Sequence, residues 1–137
     1  MGADAKALLR EYLDGAFNRK DPAVIDKVVS PDVIDHAGLP GGPEGIEGFR
    51  LFVTTVQDAF PDMELTVEDC FGEGDRAVAR WSSIATHTGE LMGIPATNRK
   101  VTSTGVDIAR AADGKIVEFW AQVDMAGLMA QLTAPES

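Results

Sequence analysis

Apolar residues in the first half of the chain recur every three to four positions, which is the spacing of amphipathic helices. In the opening segment they form one stripe, made of Leu8, Leu9, Tyr12, Leu13, Ala16 and Phe17. A second stripe ends before Pro61 and consists of Ile46, Phe49, Val53, Val56 and Phe60. Both stripes predict helices that bury one face.

Between these two helices the sequence predicts a short helix, a short strand and a loop. Asp21-Pro22 is typical of a helix start, with an N-cap residue and a proline in the first turn, and predicts a helix over residues 22–29. Ser30-Pro31 ends this helix. Residues 33–37 then read as a strand, and the glycine- and proline-rich residues 38–45 as a loop.

After residue 62 the hydrophobic period changes to two, the alternation expected of strands. It predicts four strands, over residues 63–71, 76–87, 101–111 and 115–123. Residues 72–75 form a turn between the first two, and Asp113-Gly114 is typical of a tight hairpin. Helical spacing returns over residues 126–132, and residues 133–137 are expected to be frayed.

This order of elements indicates an α+β fold in a single domain over residues 1–137. We expect a strongly curved, mixed or antiparallel sheet that wraps around the N-terminal helices. A sheet curled in this way has a hollow centre, and a small molecule would bind there.

Composition and charge narrow the possible partners. The chain has 137 residues, of which 45% are hydrophobic, and a formal net charge of −10, which argues against nucleic acid as a partner. Its one cysteine supports neither a disulfide framework nor a thiolate metal cluster, and it suits a reducing compartment. We find no signal peptide or transmembrane run, so the sequence predicts a cytoplasmic protein without a membrane partner.

Several ordered segments carry a resemblance to a known family. They are Asp35-His36 followed by GGPEGI, then AFPDMELTVED, RWSSIATHTGELMGIPATNRK, and DGKIVEFW followed by Asp124. In this order, over roughly residues 5–132, the chain resembles the SnoaL-like polyketide cyclases of the nuclear-transport-factor-2-like superfamily.

The resemblance implies a cone-shaped α+β barrel with a buried pocket and no cofactor. Members of the family close rings of aromatic polyketides by an intramolecular aldol step. Relatives hydrate epoxides, hydroxylate polyketides or only bind small molecules.

The resemblance also implies a catalytic pair that this chain does not keep. In the cyclases an aspartate directly after the last-strand tryptophan is the acid/base, assisted by a histidine fourteen positions earlier. Here the tryptophan is Trp120, the aspartate position holds Ala121, and the histidine position holds Asp107.

Asp107 is therefore the candidate acid/base. In the strand 101–111 it shares a face with the small residues Ser103, Gly105 and Ala109, which would leave room for a ligand. A carboxylate facing such a cavity would be desolvated, with a raised pKa suited to proton abstraction near neutral pH. The alternative is a surface aspartate, or an ion pair with Arg80 or Arg110.

The other candidate site residues are a histidine and a set of large side chains. His36, at the end of a short strand beside the glycine-proline loop, is the candidate catalytic partner that orients Asp107 or relays its proton. Its alternative is a structural hydrogen bond. We expect the substrate to contact some of the residues Tyr12, Phe60, Trp81, Met92, Phe119 and Trp120. The two histidines lack metal-ligand spacing, so no metal site is predicted.

Two further expectations concern structure. Asp124 directly precedes the final apolar helix and is expected to cap it. The open face of the sheet is expected to pair two subunits into a homodimer, since members of this family commonly pair there.

Three functions remain open. The favoured one is a cofactor-independent, cyclase-type enzyme in which Asp107 removes an α-proton from a small carbonyl-bearing substrate, so that the carbanion attacks a second carbonyl. The second is a non-catalytic small-molecule binding protein, whose apolar cavity has Ala121 in place of the acid/base aspartate of the family. The third is a relative of the epoxide hydrolases or the polyketide hydroxylases. The resemblance implies that the hydrolases use an Asp-Arg-Asp set of residues. This chain has Arg80, but two positions later it has Ser82 and not an aspartate.

Overall fold

The computed structural model describes residues 4–39 and 41–135. The helices are α1 (Ala5–Phe17), α2 (Ala23–Val28), α3 (Ile46–Ala59) and α4 (Met125–Thr133). The strands are β1 (Val29–Asp35), β2 (Glu64–Glu73), β3 (Arg76–Thr86), β4 (Lys100–Ala112) and β5 (Lys115–Val123). Their order along the chain is the predicted one, and it confirms the α+β fold.

The five strands form one mixed sheet in the order β1-β5-β4-β3-β2. Strand β1 runs parallel to β5, and the other neighbours are antiparallel. Helix α1 packs against β2 and β3, and α3 packs against β1. We call the face that packs against these helices the inner face and the opposite one the outer face. Most of the buried apolar residues form one core between the inner face and the helices.

The helix ends follow from local chemistry. The Asp4 side chain caps α1 by accepting hydrogen bonds from the backbone N–H groups of Lys6 and Ala7, at 3.0 and 3.3 Å. Helix α3 begins after Gly45, whose φ of 68° is a left-handed conformation that glycine adopts without strain. Pro61 follows its C-cap residue, Phe60.

Strand β1 differs from the prediction: it begins at Val29 rather than at residue 33. The reason is tertiary, because β1 pairs with β5 from Val29 opposite Ile116 to Asp35 opposite Phe119. As an edge strand, β1 tolerates Pro31, which lacks a backbone N–H. The proline that was expected only to end a helix therefore lies inside a strand.

Both predicted turns are present, but the turn between β2 and β3 is shorter than predicted. Asp113 and Gly114 both have positive φ, 53° and 78°, which confirms the tight hairpin between β4 and β5. Between β2 and β3 the strands extend further than expected, so only Gly74 and Asp75 remain in the turn. The predicted loop 38–45 includes position 40, and the predicted frayed end includes positions 136 and 137; these three positions lie outside the described residues.

Helix α4 is capped as the sequence predicts. The carboxylate of Asp124 accepts a hydrogen bond from the backbone N–H of Gly127 at 2.9 Å. We expect Asp124→Ala to lower the free energy of unfolding by ~1 kcal/mol, measured by urea denaturation, because this cap is lost. An unchanged stability together with lost ligand binding or turnover would instead place Asp124 in the functional site.

Over residues 4–39 and 41–135, no helix combines the length and the apolar character needed to cross a membrane.

Candidate active site

A cavity of about 380 Å³ lies between the helices and the inner face of the sheet. Most of its wall is aliphatic or aromatic, contributed by α1, α3 and the strands β3, β4 and β5. A small number of polar side chains interrupt this wall, among them Tyr12, Asp35, Ser83, Ser103, Asp107 and Gln122. An apolar cavity with a few polar groups is the usual form of a small-molecule site.

Asp107 lies on the inner face of β4 and lines this cavity, with only 4% of its surface exposed. Burial raises the pKa of its carboxyl to about 7, and the hydrogen bond from Trp81 lowers it only in part. The alternative ion pairs are not formed, because Arg80 bonds to Asp69 and Arg110 bonds to Glu118. A carboxyl group with this pKa can both accept and return a proton near neutral pH.

Trp81 holds the Asp107 carboxyl from the neighbouring strand. Its indole Nε1–H donates to Oδ1 of Asp107 at 3.1 Å, and no other described residue forms a hydrogen bond to this carboxylate. Trp81 lies opposite Gly105 in the ladder, and a Cβ at Gly105 would come within 2.4 Å of the Trp81 ring. The missing side chain at Gly105 therefore lets the indole lie against β4 and point toward Asp107. A glycine inside a strand was the available signal for this close approach.

Ala121 lies directly opposite Asp107 in the ladder between β4 and β5, and both residues line the cavity. Antiparallel partners on one face have Cβ atoms about 5 Å apart. A carboxylate at either of these two positions would thus serve the same part of the cavity, and the methyl group of Ala121 leaves space beside Asp107.

Tyr12, from α1, is another buried polar group on the cavity wall, with 2% of its surface exposed. Burial raises the pKa of its hydroxyl well above the ordinary value, and the charges of Asp107 and Asp35 raise it further. Asp35 is half-buried at the end of β1, where burial raises its pKa despite a hydrogen bond from the backbone N–H of Ala37. Sequence reasoning used Asp35 only as part of a motif and missed its position on the cavity wall.

His36 and Trp120 lie away from the cavity, which corrects two of the expectations above. Strand alternation turns Trp120 to the outer face, because its inner-face neighbours are Phe119 and Ala121. The His36 ring stacks on Trp120 at a centroid distance of 5.0 Å, and its Nε2 bonds to Glu118 at 2.8 Å. In this position His36 cannot orient Asp107 or relay its proton, and Trp120 cannot contact a ligand in the cavity.

The remaining predicted contact residues line the cavity together with Asp107: Tyr12, Phe60, Trp81, Met92 and Phe119. They come from two helix regions, two strands and the loop between β3 and β4. Met92 is half exposed on that loop and so lies where the cavity meets solvent.

Comparisons with known proteins agree with this fold. The family model described as SnoaL-like polyketide cyclase matches residues 7–132. The nogalonic acid methyl ester cyclase of Streptomyces nogalater is 29% identical over 125 residues, covering 88% of this chain and 91% of that protein.

Two solved structures are similar at 32% sequence identity. TsrD from Streptomyces laurentii superposes with a TM-score of 0.84, covering 94% of each chain. AclR from Streptomyces galilaeus, described as a candidate hydroxylase, superposes with a TM-score of 0.82, and the match covers 97% of this chain and 87% of the AclR chain. Because the family model spans nearly the whole chain, this protein belongs to the SnoaL-like polyketide cyclase family.

Proposed function

We propose that this protein is a cofactor-independent enzyme that closes a ring in a small, carbonyl-bearing, polyketide-like substrate, with Asp107 as its acid/base. The observation that carries the proposal is the carboxyl group of Asp107. It is buried in an apolar cavity, has one hydrogen-bond donor among the described residues, and has a pKa of about 7. Such a group is half ionised at neutral pH and therefore available as a base.

The proposed reaction is an intramolecular aldol addition. The Asp107 carboxylate removes a proton from a carbon between two carbonyl groups, and the electron pair left behind forms an enolate. The enolate carbon attacks a second carbonyl carbon of the same molecule, so that one carbon–carbon bond forms and the carbonyl becomes an alkoxide. The alkoxide then takes the proton back from Asp107, and the product is an isomer of the substrate.

The cavity supports this chemistry in three ways. Its mainly apolar wall keeps water from the enolate, so that ring closure competes well with reprotonation by solvent. Its volume of about 380 Å³ holds a molecule of a few rings, and its aromatic residues offer flat contact surfaces. Ala121, opposite Asp107, leaves the base free of a second carboxylate.

The substrates of the related cyclases provide the first test. The protein is incubated with nogalonic acid methyl ester and with aklanonic acid methyl ester, for which another relative is named, the cyclase DauD of Streptomyces sp. (strain C5), 26% identical over 131 residues. Products are separated by chromatography, because ring closure leaves the mass unchanged. The same incubation in D₂O reports proton abstraction separately, since each exchanged α-proton adds about one mass unit. An epoxide and a reduced polyketide are included as substrates for the hydrolase and hydroxylase alternatives.

Exchange or ring closure above the protein-free rate supports the proposal. Tight binding with neither exchange nor ring closure would identify a binding protein. Turnover of only the epoxide or only the reduced polyketide would assign one of the other two relatives.

We further propose that two copies pair through the outer face of the sheet. A row of apolar side chains crosses four strands there, each opposite the next in the ladder: Phe71, Val78, Ile108 and Trp120. Phe71 is 61% exposed, and Ile34, Ile84 and Val106 are also exposed on this chain. Light scattering at micromolar concentration should give twice the mass of one chain, and a monomer would contradict the pairing.

A further inference from the structure

We propose that the hydroxyl of Tyr12 donates the hydrogen bond that holds the enolate oxygen of the substrate. The inference rests on the proposed function, because it assigns a second catalytic residue to the same cavity. Three observations carry it: the fixed position of the ring, the unpaired hydroxyl, and the charges around it.

The ring of Tyr12 is fixed by three aromatic neighbours. Phe17, Phe49 and Phe119 pack around it edge to face, with centroid distances of 5.8, 5.5 and 5.6 Å. Edge-to-face pairs are the favoured geometry of aromatic rings, so the ring has little freedom to turn. Its hydroxyl therefore keeps one position on the cavity wall.

That hydroxyl has no hydrogen-bond partner among the described residues, although only 2% of Tyr12 is exposed. Within the described residues, the fully buried side-chain polar atom that lacks a partner is Nε2 of His87, so the Tyr12 hydroxyl is not sealed off but is accessible from the cavity. Tyr12 and Asp107 line the same cavity, so a ligand beside the base can supply the missing acceptor. A donor fixed before the substrate arrives needs no reorganisation during the reaction.

The surrounding charges decide which role the hydroxyl can take. Burial first, and then the charges of Asp107 and Asp35, raise its pKa, so Tyr12 stays protonated at neutral pH and acts as a donor rather than a base. When Asp107 takes the α-proton it becomes neutral, and the negative charge appears on the substrate oxygen instead. The total charge of the cavity is unchanged, and the Tyr12 hydroxyl then faces an oxyanion.

Tyr12→Phe tests this role because it removes the hydroxyl and keeps the ring among its three aromatic neighbours. With nogalonic acid methyl ester, the variant should exchange the α-proton about 10²-fold more slowly than the unmodified protein. Ser82→Ala is the matched control, since it also removes one hydroxyl, but from the outer face, where Ser82 bonds to Glu68. Equal exchange rates for Tyr12→Phe and the control would overturn the assignment.

A binding measurement decides the same point without catalysis. Asp107→Asn mimics the protonated base, so ionised 4-nitrophenol at pH 8 stands in for the enolate. Adding Tyr12→Phe to this variant should weaken its binding, followed by absorbance, by about tenfold or more. Tyr12 is the one tyrosine in the chain, so in Asp107→Asn carrying ¹³Cζ-labelled tyrosine a single carbon resonance should shift as the probe saturates.

The two measurements separate the failure of this inference from the failure of the proposed function. If no substrate is turned over but the probe binds through Tyr12, the oxyanion contact stands and the ring-closing function falls. If the probe does not bind to Asp107→Asn, or binds equally well without the Tyr12 hydroxyl, the contact proposed here is wrong whatever the turnover.

Discussion

Replacing Asp107 with asparagine should reduce ring closure and α-proton exchange by about 10²-fold or more. Asparagine has the same size, and its side-chain oxygen can still accept the Trp81 hydrogen bond, which is 3.1 Å long in the unmodified protein. The amide cannot take up a proton near neutral pH, so the change removes the base and little else. The rates are compared at saturating nogalonic acid methyl ester, so that weaker binding does not imitate a loss of chemistry.

Glu118→Gln is the matched control for this substitution. It also changes an acid into its amide, but on the outer face, where Glu118 bonds to His36 and Arg110. This control should keep nearly all of the activity. Full activity in Asp107→Asn, or equal losses in the two variants, would remove Asp107 from the mechanism.

The pH dependence of stability should reveal the buried acid without any substrate. The pKa of Asp107 is raised from 3.8 to about 7 by folding, so between these values the folded protein keeps a proton that the unfolded chain has lost. The stabilising contribution is thus fully present below about pH 4 and is lost as the pH rises to about 7. One pKa unit corresponds to about 1.4 kcal/mol, so the loss is on the order of 4 kcal/mol.

Urea denaturation of the protein and of Asp107→Asn, at one protein concentration and several pH values, measures this effect. Relative to Asp107→Asn, the unmodified protein should become steadily less stable from pH 4 to pH 7 and then show a constant difference. A constant difference across the whole range would mean that the carboxyl of Asp107 titrates normally and is not desolvated.

The strand pattern predicted much of the site. Alternation in the strand 101–111 put Asp107 on the side of the small residues, and the structure shows that side to be the inner face. The direct opposition of Asp107 and Ala121 does not follow from the Asp113-Gly114 turn alone, which would pair Asp107 with Trp120; a register shift in the ladder between Arg110 and Ala111 brings Ala121 opposite Asp107. Strand alternation was sufficient for the face of Asp107, whereas its exact partner depends on this register shift, which the turn does not determine.

The remaining parts depend on contacts between distant segments. His36 belongs to β1, whose parallel pairing with β5 sets its ring on Trp120 and could not be deduced from turn geometry. The indole of Trp81 reaches Asp107 only because it packs over Gly105 on a different strand. Such long-range arrangements leave only weak local signals in the sequence.

The most direct test of the central claim is the rate of α-proton exchange as a function of pH, measured as kcat/KM in buffered D₂O. If Asp107 is the base, the rate should rise about tenfold per pH unit at low pH and level off above about pH 7, the pKa of its carboxyl. Asp107→Asn should show no such rise. A profile that is flat for the unmodified protein, or that keeps its shape in Asp107→Asn, would contradict the assignment of Asp107 as the acid/base.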